Sequence, residues 1–137
     1  MFAPERANLL IADAGPSPWA ADLARSLEPL PVNLHWTRTD TEVINVITTT
    51  GVHVAIVDNQ LPGGGLRVLE RVRQLGWNKP CLFICYHADQ RTLQDALALN
   101  VFSVIAPQTD RDLLTPMVLK VFRQVYQLDW ADLSASN

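Results

Sequence analysis

The chain has 137 residues, 48% of them apolar and 18% charged, with a formal net charge of -3. This is the size and composition of one globular domain that can fold without disulfides or a structural metal. The mild acidity gives no basic footprint, so direct nucleic-acid binding is excluded as its main task. Of eleven basic residues only Lys79 and Lys120 are lysines. No apolar run approaches the roughly 18 residues that a membrane span requires. Met1 to Arg6 hold no apolar stretch of the signal-peptide kind. The expectation is a cytoplasmic chain with no membrane contact.

In chain order, apolar runs of strand length alternate with segments of helical spacing. The first run is Asn8 to Asp13 (NLLIAD), followed by Trp19, Leu23, Leu27 and Leu30 at helical intervals. Val32 to Trp36 (VNLHW) precedes a helix over Thr41 to Thr50 with Val43, Val46 and Ile47. Val52 to Asp58 (VHVAIVD) precedes Leu66, Leu69, Val72 and Leu75. Cys81 to Cys85 (CLFIC) precedes Leu93, Ala96 and Leu97. Val101 to Ile105 (VFSVI) leads to a last stripe of Leu114, Met117, Val118, Val121 and Val125. Runs without polar alternation suit strands covered on both faces.

The punctuation agrees with this reading. Gly51 and Gly76 stand where helices should stop, and Asp40 and Asp110 where helices should start as N-caps. Pro116 should kink the last helix or push its start later. Five strand–helix units in strict alternation predict a doubly wound α/β domain around a five-stranded parallel sheet. Ligands of such sheets bind at the carboxyl ends of the strands. That places a site near Asp13, Asp58, Cys85 and residues 106–108. The domain is expected over residues 1–127, with 128–137 a tail or the start of a linker, in which Trp130 is a candidate partner contact.

Other groups read more plainly. Cys81 and Cys85 share a strand face roughly 13 Å apart, too far for a disulfide or for one zinc. Both are expected as packing cysteines of a reducing compartment. Gly63-Gly64-Gly65 lacks the following Lys-Ser or Lys-Thr of a phosphate loop and reads as a flexible strand-to-helix connection. His35, His53 and His87 have no metal-ligand spacing.

The stretch Val54 to Leu66, VAIVDNQLPGGGL, resembles the receiver domain of bacterial response regulators. A buried strand ends in Asp58 and continues as Leu61-Pro62-Gly63. The resemblance extends from about Asn8 to about Tyr126 and implies a flavodoxin-like (β/α)5 fold with strand order 2-1-3-4-5. It implies Asp58 as the phosphoacceptor of a two-component phosphorelay, with Mg²⁺ held by Asp13, Asp58 and the backbone of Gln60. Around this aspartate the family's other positions are changed. The adjacent acidic pair appears as Asp13-Ala14, the hydroxyl position as Cys85 and the lysine position as Pro107, followed by Gln108. The aromatic switch position appears as Val104. A thiol is a weak donor, and neither alanine nor proline can hold a cation or neutralise a phosphoryl oxygen.

The resemblance therefore implies a non-enzymatic, degenerate receiver acting through protein–protein contacts. The expected partner is a histidine kinase, another signalling protein or a C-terminal output domain. A homodimer is expected through the fourth helix, fifth strand and fifth helix, with Leu93, Phe102, Val118, Phe122 and Tyr126 on that face. Two alternatives stand beside it. One is a conventional receiver phosphorylated on Asp58. The other is a small flavin-binding protein, against which Ala14-Gly15-Pro16-Ser17 argues, having one hydroxyl and a proline without an N–H.

Overall fold

A computed structural model describes residues 6–128. Five parallel strands form one sheet in the order β2-β1-β3-β4-β5. They are β1 (Ala7–Ala12), β2 (Val32–Thr37), β3 (Val54–Asp58), β4 (Cys81–Ile84) and β5 (Ser103–Ile105). The crossover helices are α1 (Pro18–Leu27), α2 (Asp40–Thr49), α3 (Gly65–Gln74) and α4 (Gln90–Ala98). After β5 the chain makes a one-turn helix, α5 (Pro107–Asp110), and a 3-10 turn at Arg111–Leu113, then enters α6 (Leu114–Tyr126). The doubly wound flavodoxin-like fold with order 2-1-3-4-5 is thus the observed one.

Strand alternation splits the apolar residues into two cores. On one face Leu9, Ile11, Ile56, Ile84 and Ile105 meet Leu23 and Leu27 of α1 and Val118, Val121 and Phe122 of α6. On the other, Leu10, Ala55, Val57 and Phe83 meet Val43 of α2, Val68, Leu69 and Val72 of α3, and Ala96 of α4. Every residue of β3 and β4 is buried, whereas the edge strand β2 leaves Trp36 52% exposed. This explains why the central runs lack polar alternation.

The helix ends correct two expectations. Thr39, not Asp40, caps α2, its hydroxyl accepting from Glu42 N–H. Asp40 sits one residue later, and its carboxylate instead meets Arg71 Nη1 at 2.6 Å. Asp110 does not cap the last helix. It folds back to accept from Ala106 N–H at 3.0 Å, and α6 starts at Leu114. That late start puts Pro116 in the first turn, where its missing N–H has no intrahelical partner to lose. Gly51 follows α2 without left-handed backbone, while Gly76 has φ +90° and closes α3. There Trp77 N–H bonds Val72 O and Gly76 N–H bonds Arg73 O, the paired pattern of a glycine-terminated helix.

Of the predicted apolar stripes, Val46, Ile47, Leu66 and Met117 are partly buried, and Leu75, Leu93, Leu97 and Val125 are exposed. Two interface expectations fail outright. Val118 and Phe122 are fully buried in the α1–α6 core, because α6 turns its apolar stripe onto the sheet. Tyr126 is half-buried and engaged within the fold, its hydroxyl donating to His53 O and its ring edge-on to that imidazole. Trp130 lies outside the described residues.

Candidate functional site

The strand order reverses between β1 and β3, which leave the sheet side by side and in register from Leu9–Val54 to Ala12–Val57. Their carboxyl ends deliver Asp13 and Asp58 to the switch point, where such sheets hold their ligands. Both side chains are almost completely buried.

Asp13 is closed off by the turn that follows it. Its Oδ1 accepts from Ser17 Oγ at 2.6 Å and from Gly15 N–H at 3.4 Å. Its Oδ2 accepts from Ser17 N–H at 2.9 Å. This is the ordinary reason for an aspartate at a turn: it satisfies backbone donors just before a helix begins. Ala14 beside it is exposed and brings no second carboxylate.

Asp58 is held differently. Its Oδ1 accepts from Gln60 N–H at 2.9 Å, so Gln60 meets it through its amide. Its Oδ2 is buried with no hydrogen-bond partner. Burial is the main reason its pKa stands above the usual 3.8; the Gln60 bond opposes that, nearby Asp13 adds to it, and the Trp19 indole opposes it. The loop after β3 is drawn tightly beneath the carboxylate. Leu61 N–H returns to Asp58 O at 3.2 Å, and Gly65 N–H to Asn59 O at 3.3 Å. Gly65 is needed there, since a Cβ would lie 2.6 Å from Asp58 O and 2.8 Å from Asn59 Cα. The expectation of a merely flexible glycine run is corrected at this position.

Cys85 follows β4 on the opposite core from Tyr86, as alternation requires. Its thiol is buried and accepts from Asn59 Nδ2 at 3.7 Å. Tyr86 senses the site's charge: burial first, then Asp58 and Asp13, hold its phenol above its usual pKa of 10. Pro107 opens α5, and the next residue, Gln108, donates through Nε2 to Tyr86 O. Neither lysine belongs to this end of the sheet. Lys79 lies in the loop entering β4 at the amino ends of the strands, and Lys120 lies on α6.

The site also contains a residue that sequence reasoning treated as ordinary packing. Trp19, in the first turn of α1, is 4% exposed, and its indole Nε1 has no hydrogen-bond partner. It is the one side chain whose N–H favours the charged form of Asp58. The available signal was chemical: a buried tryptophan usually needs an acceptor for its N–H. Ser17, read from the sequence only as the lone hydroxyl of its loop, belongs to the site as well, and an Asp followed four residues later by Ser before a helix suits such a turn.

Beside Asp13 a cleft of about 410 Å³ opens between the β1–α1 loop and the end of β2. Pro16, Pro18, Ala20, Trp36, Thr37 and Arg38 line it, and Asp58 does not. Among the described residues no group of three or more His, Cys, Asp or Glu is placed to share a metal ion. No described helix is long and apolar enough to cross a membrane.

No protein-family model matches the chain, and neither does any curated protein. Solved structures do match. The chain superposes on a two-component response regulator from Clostridium difficile with a TM-score of 0.76 at 17% identity, covering 87% of this chain and 98% of that one. The signal receiver domain of an HD domain-containing protein from Pseudomonas fluorescens Pf-5 gives 0.74 at 21% identity, covering 89% and 95%. The RcsB response regulator of Salmonella typhimurium gives 0.73 at 20% identity, covering 88% of this chain and 61% of that one. At such identities the likeness is one of fold alone: the chain folds as these receiver domains do.

Proposed function

We propose that this chain is a receiver-like module of two-component signal transduction that works through protein–protein contacts and not through efficient phosphoryl transfer. The observation that carries this reading is the closure of Asp13, both of whose oxygens are already taken by Ser17 and Gly15. With Ala14 next to it and Asp58 Oδ1 bonded to Gln60 N–H, Asp58 Oδ2 is the one oxygen of these two carboxylates that carries no hydrogen bond, where Mg²⁺ wants several hard oxygen ligands. This donor set does not fit Mg²⁺. Pro107 and Cys85 supply neither the cation nor the hydroxyl that would stabilise a transferring phosphoryl group, and losing such a stabiliser typically lowers a rate by about 10²–10³.

The partner is a histidine kinase, another signalling protein or an output domain, in a cytoplasmic setting. Two of the similar structures come from proteins described by an HD domain and by DNA interaction. The surface that supports contact is α4 with β5. Leu93 and Leu97 are exposed on α4, and Phe102 and Val104 are only partly covered. A homodimer through this face is part of the same reading.

One feature favours a second reading, the conventional phosphoacceptor: Asp58 keeps an unpartnered Oδ2 at the switch point. Incubation with acetyl phosphate and Mg²⁺, followed by intact-mass measurement, separates the two. The proposal expects no stoichiometric gain of a phosphoryl group. Labelling that is complete and vanishes in Asp58→Ala overturns it. Restoring Ala14→Asp together with Pro107→Lys is expected to create Mg²⁺-dependent beryllofluoride binding that the natural sequence lacks.

A further inference from the structure

The cleft beside Asp13, about 410 Å³, has the size of a small-ligand pocket, and Asp58 takes no part in it. Its walls are mostly apolar. Pro16 and Pro18 bring no N–H, and Ala20 and Ala21 of α1 bring only methyl groups. Trp36 comes from the edge strand. Its β1 partner Ile11 lies in the core that α1 covers, so strand alternation turns the indole to the side of α1. No described strand flanks β2 on its outer side, and the ring stays 52% exposed. The side-chain hydroxyls of the cleft are committed within the fold: Thr37 Oγ1 donates to Ile11 O at 3.1 Å, and Ser17 Oγ to Asp13 Oδ1. Arg38 is the exception. The carboxylates around it are engaged elsewhere: Glu42 accepts from the backbone N–H of Arg38 at 2.8 Å, Asp40 pairs with Arg71, and Asp13 serves Ser17 and Gly15. Among the described residues the exposed Arg38 guanidinium has no ion-pair partner.

We propose that this cleft binds a small aromatic monoanion, its ring packed on Trp36 and the prolines and its carboxylate held by the Arg38 guanidinium. An exposed indole gives a flat apolar body a surface to stack on. A guanidinium presents a planar fork that matches a carboxylate. One unpaired cation calls for one negative charge. A second charged group would meet the Asp13 carboxylate, which borders the same cleft. A nucleotide polyphosphate is unsuited for that reason, and because Pro16 and Pro18 interrupt the succession of N–H donors that cradles a phosphate. A bound ligand touches α1 and the entry to α2 together, and these helices cover opposite faces of the sheet. The site contains neither Asp58 nor the α4–β5 face, so it stands or falls apart from the protein–protein reading above.

The full chain, labelled with ¹⁵N, is titrated by NMR with 2-naphthoate, with its neutral counterpart 2-naphthamide, and with acetate and inorganic phosphate, which lack the ring. Wild type, Arg38→Gln and Trp36→Leu are compared. Both altered side chains are exposed, and Arg38→Gln keeps the backbone N–H that Glu42 accepts. 2-Naphthoate is expected to bind saturably, with amide shifts centred on Gly15, Ser17, Ala20, Ala21 and residues 36–38. Of the four indole N–H signals, the one missing in Trp36→Leu should move most. 2-Naphthamide should bind about tenfold more weakly, for want of one charge-assisted contact. Arg38→Gln should bring the acid down to the level of the amide and leave the amide unchanged, whereas Trp36→Leu should weaken both alike. Acetate and phosphate should not saturate. The proposal is overturned if 2-naphthoate does not bind saturably, if its shifts centre on the α4–β5 face, or if the preference for the acid survives in Arg38→Gln. Saturable phosphate or acetate binding at these residues overturns it too. Should Trp36→Leu not fold, the acid–amide comparison in wild type and Arg38→Gln decides alone.

Discussion

Gly65 is the residue on which the geometry around Asp58 most directly depends. It begins α3, and a Cβ there would meet three backbone atoms: Asp58 O at 2.6 Å, Asn59 Cα at 2.8 Å and Asp58 C at 3.0 Å. Ordinary contact starts at 3.4 Å, so the carbonyl alone must yield by about 0.8 Å (3.4 less 2.6). None of these atoms is the free end of a side chain, so relief requires moving α3 or the end of β3. Overpacking of this kind costs about 1–3 kcal/mol, and the backbone clash places Gly65→Ala at the upper end. Two other glycines supply controls. Gly64 has open space around it but φ +94°, so Gly64→Ala tests conformation without crowding and should cost about 1–3 kcal/mol. Gly51 has neither obstacle, so Gly51→Ala should be neutral or stabilising by about 0.4–1 kcal/mol. Urea unfolding followed by circular dichroism measures all three. A Gly65→Ala variant as stable as Gly51→Ala would refute the claim that α3 is seated directly on the Asp58 backbone.

Three further outcomes are expected. Because the folded pKa of Asp58 is raised above 3.8, its stabilising proton is fully bound below that value and lost as pH rises through the folded pKa. Asp58→Ala should therefore gain on wild type between acid and neutral pH, and parallel urea midpoints at both would contradict this. His53 has the opposite sign. Its Nδ1 accepts from Asn8 N–H at 2.9 Å, and burial first, then Lys79, lowers its pKa below 6.5. Its contribution is complete above 6.5 and lost as pH falls through the folded value; an imidazole titrating above 6.5 by NMR would exclude the bond. Arg73 spreads its guanidinium over the carbonyls of Leu99, Trp77, Lys79 and Asn100 and over the Trp77 ring. Arg73→Ala should cost about 2 kcal/mol, and Arg73→Lys nearly as much because an ammonium cannot form the fork. Full stability in Arg73→Lys would show that charge alone suffices.

Much of this molecule was legible in the chain. The alternation of Leu9, Leu10 and Ile11 or of Val54 to Val57 with helical stripes predicts a parallel sheet covered on both faces, because helices on either side bury continuous apolar strands. The carboxylates at the strand ends follow from the same reading, and so does the want of a lysine, since neither Lys79 nor Lys120 stands near the end of β5. The caps were less legible. Thr39 and Asp40 are both good N-caps; Thr39 takes the cap, and Asp40 pairs with Arg71, distant in sequence.

What the chain determined alone was therefore the periodicity of burial and the types of residue delivered to one end of the sheet. Only the tertiary structure decided how those residues spend their hydrogen bonds. Asp13 is spent on the turn that starts α1, and Val118 and Phe122 are spent on the core instead of a partner. Trp19, read as one position in a stripe, ends with its indole N–H buried and without a hydrogen-bond partner. The physical reason is that periodicity is a local property of a segment. A buried donor or acceptor finds its partner, or lacks one, only when separate segments are brought together.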